Sequence, residues 1–145
     1  MAENYHTILT SAGIRPSVQR VAVYAYLREH QNHPTVETLF SALSPEYPTL
    51  SRTTIYNTLR LFEEKHLVQS IQIEDGKTRY DSDMSGHIHF KCIRCGTIFD
   101  NFIGEKLYDS YAHYDKLLPP GFSMTKVQTN LWGICADCAA ASATA

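Results

Sequence analysis

Apolar residues recur at two different periods along this chain, and the change of period divides it. Residues 4–12 fit a short first helix. Pro16 suits the first turn of a second, in which Val18, Val21, Ala22, Ala25 and Tyr26 fall at helical spacing. His33-Pro34-Thr35 interrupts the pattern. Thr35 then caps a third helix with Val36, Leu39, Phe40 and Leu43 inward and Glu37 and Glu46 outward. Ser44-Pro45-Glu46-Tyr47-Pro48 is a turn. Ser51 caps the next helix, with Ile55, Leu59 and Phe62 on one face and Leu67 just beyond it. There the period drops to two: LVQSIQI alternates, EDGK is a hairpin turn, and TRYD returns as a second strand. Helices followed by a two-stranded hairpin are the order of a winged helix-turn-helix. On pattern alone, a small helical domain with an accessory hairpin fits too.

From about Asp83 the segments shorten. His87–Cys92 and Ile98–Phe102 read as strands, and residues 104–118 suit a helix burying Leu107, Tyr111, Tyr114 and Leu118. Pro119-Pro120-Gly121 ends that helix, and Phe122–Trp132 reads as a further strand. The expected architecture is α+β: a winged-helix domain over residues 1–82 and an α/β domain over 83–145.

Composition changes this picture little. The 145 residues are 43% hydrophobic and 19% charged, ordinary for a globular protein. A net charge of -2 requires any nucleic-acid contact to come from a local patch. Residues 1–80 carry eight Lys/Arg against eight Asp/Glu and residues 81–145 five against seven, so the first half is the better DNA partner. No stretch reaches the roughly 20 apolar residues of a membrane span, and the first residues lack a basic region before an apolar core. A cytoplasmic location without membrane contact is expected, with reduced cysteines suited to metal rather than disulfides.

Cys92-x-x-Cys95 and Cys135-x-x-Cys138 use every cysteine in the chain. Each pair places two thiolates on a tight turn, and two such turns make the tetrahedral all-sulfur site that zinc prefers. The 39 residues between the pairs leave room for a subdomain, so one zinc per chain ties the first strands to the C-terminal end. An isolated redox motif does not need the second pair. Four protein ligands leave no open position, which makes this zinc structural.

His33, Asp81, His87, His89 and Asp100 form a second candidate set. His87 and His89 lie two apart on a strand and project from one face. Imidazole with carboxylate suits Fe²⁺, Mn²⁺ or Zn²⁺. On chemistry alone, a pair of surface histidines fits as well. A third candidate is the outward face of the helix after Ser51: Arg52, Thr53, Tyr56, Asn57 and Arg60 offer base-reading and phosphate-holding groups, with Arg15 and Arg20 upstream as further basic contacts. A solvated helix face is the plain alternative, and the flanking helix and hairpin favour DNA.

The ordered segments GIRPSVQR, HPT, SRTTIYNTLRLFEEKHLV, TRYD, HIHFKCIRCG and GICADC resemble the ferric uptake regulator family over nearly the whole chain. The resemblance implies a winged-helix domain joined to an α/β dimerisation domain, in a homodimeric repressor activated by a bound metal. It implies that Cys92, Cys95, Cys135 and Cys138 hold structural zinc, and that His33, Asp81, His87, His89 and Asp100 hold a regulatory Fe²⁺ or Mn²⁺. Iron-sensing members typically have Glu at the two carboxylate positions; Asp81 and Asp100 make the chain similar to the peroxide-regulator branch. In that branch iron-catalysed oxidation of ligand histidines, here His33 and His87, releases DNA. Ser17 stands where the branch usually has Thr. Gly86 and Ile88 replace two ligands of a further site found in some relatives, so that site is expected to be absent. His6, His30, His66 and His113 match no family ligand.

By the same resemblance, a metal held by His33 from the first domain and by His87, His89 and Asp100 from the second fixes the domain angle. In a dimer that angle sets the spacing of two recognition helices on an inverted repeat. One rival is an iron, manganese or zinc homeostasis regulator without peroxide chemistry. A remote rival is a zinc-dependent hydrolase using His33, His87 and His89; five candidate ligands leave it little open coordination, and no HExxH motif occurs.

Overall fold

The computed structural model describes residues 4–84, 87–102 and 112–143. The chain forms two compact units, Met1–Met84 and Ser85–Ala145.

In the first unit, α1 (Tyr5–Ser11), α2 (Val18–Glu29), α3 (Val36–Leu43) and α4 (Arg52–Glu64) precede a hairpin of β1 (Gln69–Glu74) and β2 (Lys77–Asp81). Each helix starts on a short polar side chain that takes an otherwise unpaired backbone N–H: Asn4 from Thr7, Ser17 from Arg20, Thr35 from Thr38 and Ser51 from Thr54. Such caps are worth about 1 kcal/mol each. Thr35 and Ser51 cap as the sequence indicated.

Pro16 differs from expectation. It precedes the cap rather than sitting in the first turn, because the extended Ser17 (φ −141°, ψ 163°) already marks the boundary and α2 opens at Val18. The buried stripe of α2 shifts with it to Ala22, Val23, Tyr24 and Leu27, leaving Val18 71% exposed.

Leu9, Val23, Leu39, Ile55, Leu59, Phe62 and Val68 are central members of one buried cluster. Tyr5, Tyr24 and Phe62 stack edge-to-face at 5.7 Å between successive centroids, joining α1, α2 and α4. The wing hairpin turns at Asp75-Gly76, where Gly76 takes φ +72°. Its alternating strand buries Ile71 and Ile73.

The second unit contains a three-stranded sheet of order β4-β3-β5, from β3 (His87–Cys92), β4 (Ile98–Phe102) and β5 (Asn130–Gly133). β3 pairs antiparallel with β4 and parallel with β5. A 3-10 turn covers Ala112–Leu117, and α5 (Ala136–Ala143) ends the described chain.

Two expectations need correction here. The strand over Phe122–Trp132 shrinks to Asn130–Gly133: β3 offers Cα partners only from His89 to Cys92 on that edge, and its other edge is occupied by β4. The helix over 104–118 lies outside the described residues up to 111. Its described end is 3-10, in which residues three apart eclipse; Tyr114 faces outward rather than inward, while Leu118 is half-buried.

α4 ends in a Schellman motif: Leu67 N–H donates to the Phe62 carbonyl at 2.9 Å and His66 N–H to that of Glu63 at 3.1 Å. The left-handed position of this motif is filled by His66 at φ 60°, where glycine carries no Cβ penalty. Replacing His66 with Gly is therefore expected to stabilise the protein by about 1 kcal/mol. Denaturant unfolding checks it; an unchanged or lower midpoint counts against the strain argument.

Candidate metal centres and nucleic-acid interface

The ladder of the second unit assembles the cysteines. β3 ends at Cys92, and the chain turns through Ile93-Arg94-Cys95 with Gly96 at φ +78°; Gly96 N–H donates back to the Cys92 carbonyl at 2.9 Å. Ile93 N–H donates to the Gly133 carbonyl at 2.8 Å, which sets the second knuckle beside the first. Gly133 leaves room for the Phe90 ring: a Cβ there would lie 3.0 Å from it, and the ring would have to move by a few tenths of an ångström. Cys135 N–H then points at Cys92 Sγ at 3.4 Å, Cys95 Sγ lies 3.9 Å from Cys135 Sγ, and Arg94 Nη1 holds the Cys138 carbonyl at 3.3 Å.

All four sulfur atoms lie within 4.8 Å of one another. A tetrahedron with Zn–S bonds of about 2.3 Å has sulfur–sulfur edges of about 3.8 Å. The donor set and spacing fit zinc. The thiols are not equivalent. Backbone N–H groups of Cys95 and Cys135 hold Cys92 down to about 6, and Thr97 lowers Cys95. Cys138 is pushed up to about 12, first by the Cys135 thiol and then by burial. Cys92 is thus held toward the thiolate, whereas the proton on Cys138 is held more tightly and metal binding favours its loss.

The regulatory candidates fall into two sets, one in each unit. In the first, His33 adopts φ 50°, a left-handed conformation unusual for any residue but glycine. The wing pins it there: Arg79 Nη1 donates to the His33 carbonyl at 3.0 Å, and Tyr80 N–H to the Pro34 carbonyl at 3.0 Å. Asp81 ends β2, with Oδ2 3.8 Å from His33 Nε2 and Oδ1 accepting from Asp83 N–H at 2.8 Å. In the second unit, His87 and His89 share one face of β3 and bring their Nε2 atoms to 3.0 Å. Asp100, directly opposite His89 in the ladder, places Oδ1 at 3.6 Å from His89 and 3.7 Å from His87. Neighbouring ligand atoms about 2.1 Å from one ion stand about 3 to 3.5 Å apart. Three donors at these separations fit an N/O-coordinated divalent cation.

The DNA-reading candidates lie on α4 and before α2. Arg52, Thr53, Tyr56, Asn57 and Arg60 all face outward. Arg15 is exposed, and its carbonyl accepts from Arg20 Nη1 at 2.8 Å. Ser17, Gln19 and Arg20 join Thr54, Asn57 and Thr58 around a polar cleft of about 340 Å³. Gln19, tied to Thr49 at 3.1 Å, belongs to this face although periodicity gives no sign of it. Glu37, expected only as an outward residue of the third helix, receives Arg52 Nε on its carboxylate at 2.5 Å.

A winged helix with an outward polar recognition face, a four-thiolate zinc site and imidazole–carboxylate sets define a metal-dependent DNA-binding regulator. The model of the ferric uptake regulator family matches residues 11–113. The peroxide-responsive repressor PerR of Staphylococcus aureus is 33% identical over 132 residues, covering 90% of this chain and 86% of that protein. The Campylobacter jejuni peroxide stress regulator superposes with a TM-score of 0.68 at 29% identity, over 91% of this chain and 94% of that one. The Helicobacter pylori ferric uptake regulator shares the fold, with a TM-score of 0.71 at 18% identity over 94% and 95% of the two chains. The chain belongs to the ferric uptake regulator family and is a metal-dependent transcriptional repressor, not an enzyme.

Because four thiolates close the zinc site, mild chelation is expected to leave about one zinc per chain. Cys92→Ser is expected to lose that zinc and, with it, dimerisation. Metal analysis beside light scattering checks this; a zinc-free variant that remains folded and dimeric refutes the structural role.

Proposed function

We propose that this repressor senses hydrogen peroxide in the cytoplasm through a regulatory ion held by His33, Asp81, His87, His89 and Asp100, and binds an inverted-repeat operator as a homodimer. The observation that carries the reading is the gathering of His87, His89 and Asp100 donor atoms within 3.7 Å, with aspartate at both carboxylate positions. The assignment of His33 and Asp81 to the same ion comes from the sequence resemblance, as does the choice of Fe²⁺ or Mn²⁺.

Bound ferrous iron supplies one-electron reduction of peroxide. The chain would supply the target: an imidazole carbon of His33 or His87, adjacent to its ligating nitrogen, would lose two electrons overall to one hydrogen peroxide, gaining one oxygen while its hydrogen moves to oxygen or ring nitrogen and one water leaves. An oxidised ring is a poorer ligand, so the ion is lost and the DNA-bound arrangement loses its support. In this reading Arg15, Arg20, Arg52, Thr53, Tyr56, Asn57 and Arg60 face the operator.

The second unit supports dimerisation. Ile88, Phe90, Phe99 and Leu131 share the sheet face opposite the histidines, and Phe99 and Leu131 remain 41% and 44% exposed. An apolar sheet face is a favourable surface for a two-fold partner. Leu131→Asp is expected to shift the protein to monomer and abolish operator retention, read by analytical ultracentrifugation and gel shift; an intact dimer places the interface elsewhere.

The decisive experiment is mass spectrometry of iron-loaded protein after a brief, low dose of peroxide. One added oxygen on a peptide containing His33 or His87, appearing as DNA is released, is the expected result. The manganese form is expected to bind DNA and resist. Asp100→Glu, which moves the carboxylate by one methylene, is expected to retain metal-dependent binding and dull the response. Unmodified histidines with DNA still bound leave a metal-homeostasis regulator.

A further inference from the structure

The first turn of α4 carries an arginine held by two groups of the preceding helix. Arg52 Nε donates to Glu37 Oε1 at 2.5 Å, and its guanidinium carbon lies 4.0 Å from the centroid of the Phe40 ring. The ring restrains the guanidinium from one side and the carboxylate fixes its Nε edge. Among the described residues its guanidinium makes no other hydrogen bond, so the Nη1/Nη2 edge is open. That edge is the fork that fits O6 and N7 of guanine. The first residues of a recognition helix are those that meet base edges in the major groove.

We propose that Arg52 reads a guanine in each half-site and that Glu37 is its positioning residue; this rests on the DNA-binding reading of α4. A phosphate contact draws mainly on charge, which Glu37 offsets, whereas reading a base edge needs a fixed fork, which Glu37 supplies. Both side chains are more than half exposed, and an exposed ion pair alone holds little. The Phe40 ring adds a second restraint, worth about 0.5–1 kcal/mol at such a site. Docking against a groove removes water from the pair and strengthens both contacts.

The test is selection from a random-sequence duplex library by the manganese-loaded, full-length dimer, followed by affinities for single-base variants of the enriched site. The wild type is expected to enrich one guanine per half-site whose replacement by adenine weakens binding roughly tenfold or more. Arg52→Ala and Arg52→Lys are both expected to lose that preference and no other, because lysine keeps the charge without the fork. Glu37→Gln is expected to reduce the preference severalfold with zinc content and melting temperature unchanged, and to add nothing in the Arg52→Lys background. Uniform weakening across all sequences by Arg52→Lys or Arg52→Ala, with a salt slope shallower by about one, would make Arg52 a phosphate anchor and overturn the inference. So would a Glu37→Gln protein with full discrimination. A wild-type dimer that enriches no site refutes the DNA-binding reading itself, and the inference falls with it.

Discussion

The second unit is built around a thiolate cluster where a larger domain would have a hydrophobic core. Every member of the buried apolar cluster, from Leu9 to Tyr80, belongs to the first unit. Among the described residues of the second, Cys92 is the one buried hydrophobic side chain, while Ile93, Phe99, Phe102, Phe122, Leu131 and Trp132 stand exposed. A unit of this size buries a small share of its surface, and metals or oligomerisation commonly add the stability that a larger core would give. The ladder supplies the means: the Ile93–Gly133 bond and the parallel β3–β5 register bring two distant CxxC turns into one tetrahedron. Zinc affinity and folding of this unit are then a single equilibrium. The same strand ends in Cys92 and begins at His87, so whatever fixes the zinc end of β3 also fixes the register of His87 and His89 against Asp100.

Strain in the first unit falls at a ligand candidate. His33 sits in a left-handed conformation immediately before proline, and it is held by bonds from two consecutive wing residues, Arg79 and Tyr80. The next residue is Asp81, which faces His33. Backbone strain of this kind persists only where the surroundings over-determine it. Here the surroundings are the wing itself, so loss of the His33–Asp81 pairing bears directly on the strand that forms the hairpin. Arg79 also pairs with Glu74 across the hairpin, which carries the connection to β1.

What the sequence reveals and what it conceals divide along physical lines. Caps at Thr35 and Ser51 were legible because a short polar side chain before an amphipathic run has one favourable role, and the CxxC pairs because tetrahedral thiolate chemistry needs that spacing. The strand over Phe122–Trp132 misled because alternation describes a residue pattern, whereas a strand needs an edge to bond to; only Asn130–Gly133 found one. Pro16 misled because Ser17 competes for the same boundary and its hydroxyl makes the bond proline cannot. The pairing of Glu37 with Arg52 was hidden for a different reason: it joins two helices, and no periodicity within either one reports it.

Charge pairing on the DNA-facing unit bears on how such a regulator is controlled. Arg52 lies against Glu37, Arg60 lies 3.7 Å from Glu64, and Arg79 pairs with Glu74. With eight basic and eight acidic side chains across residues 1–80, this stretch carries no net positive charge to spread over a phosphate backbone. Phosphate contacts supply nearly all non-specific affinity for DNA, so a neutral reading unit binds random sequence weakly. On the proposed dimeric reading, the useful affinity comes from directional contacts made at two half-sites together. Those contacts depend steeply on the spacing of two recognition helices, and spacing is what a ligand-controlled dimer can alter. A strongly basic reading head would stay on DNA after its ligand left. On the proposed reading, a charge-paired one falls off when the second half-site is lost, which gives the metal, rather than the phosphate backbone, control of occupancy.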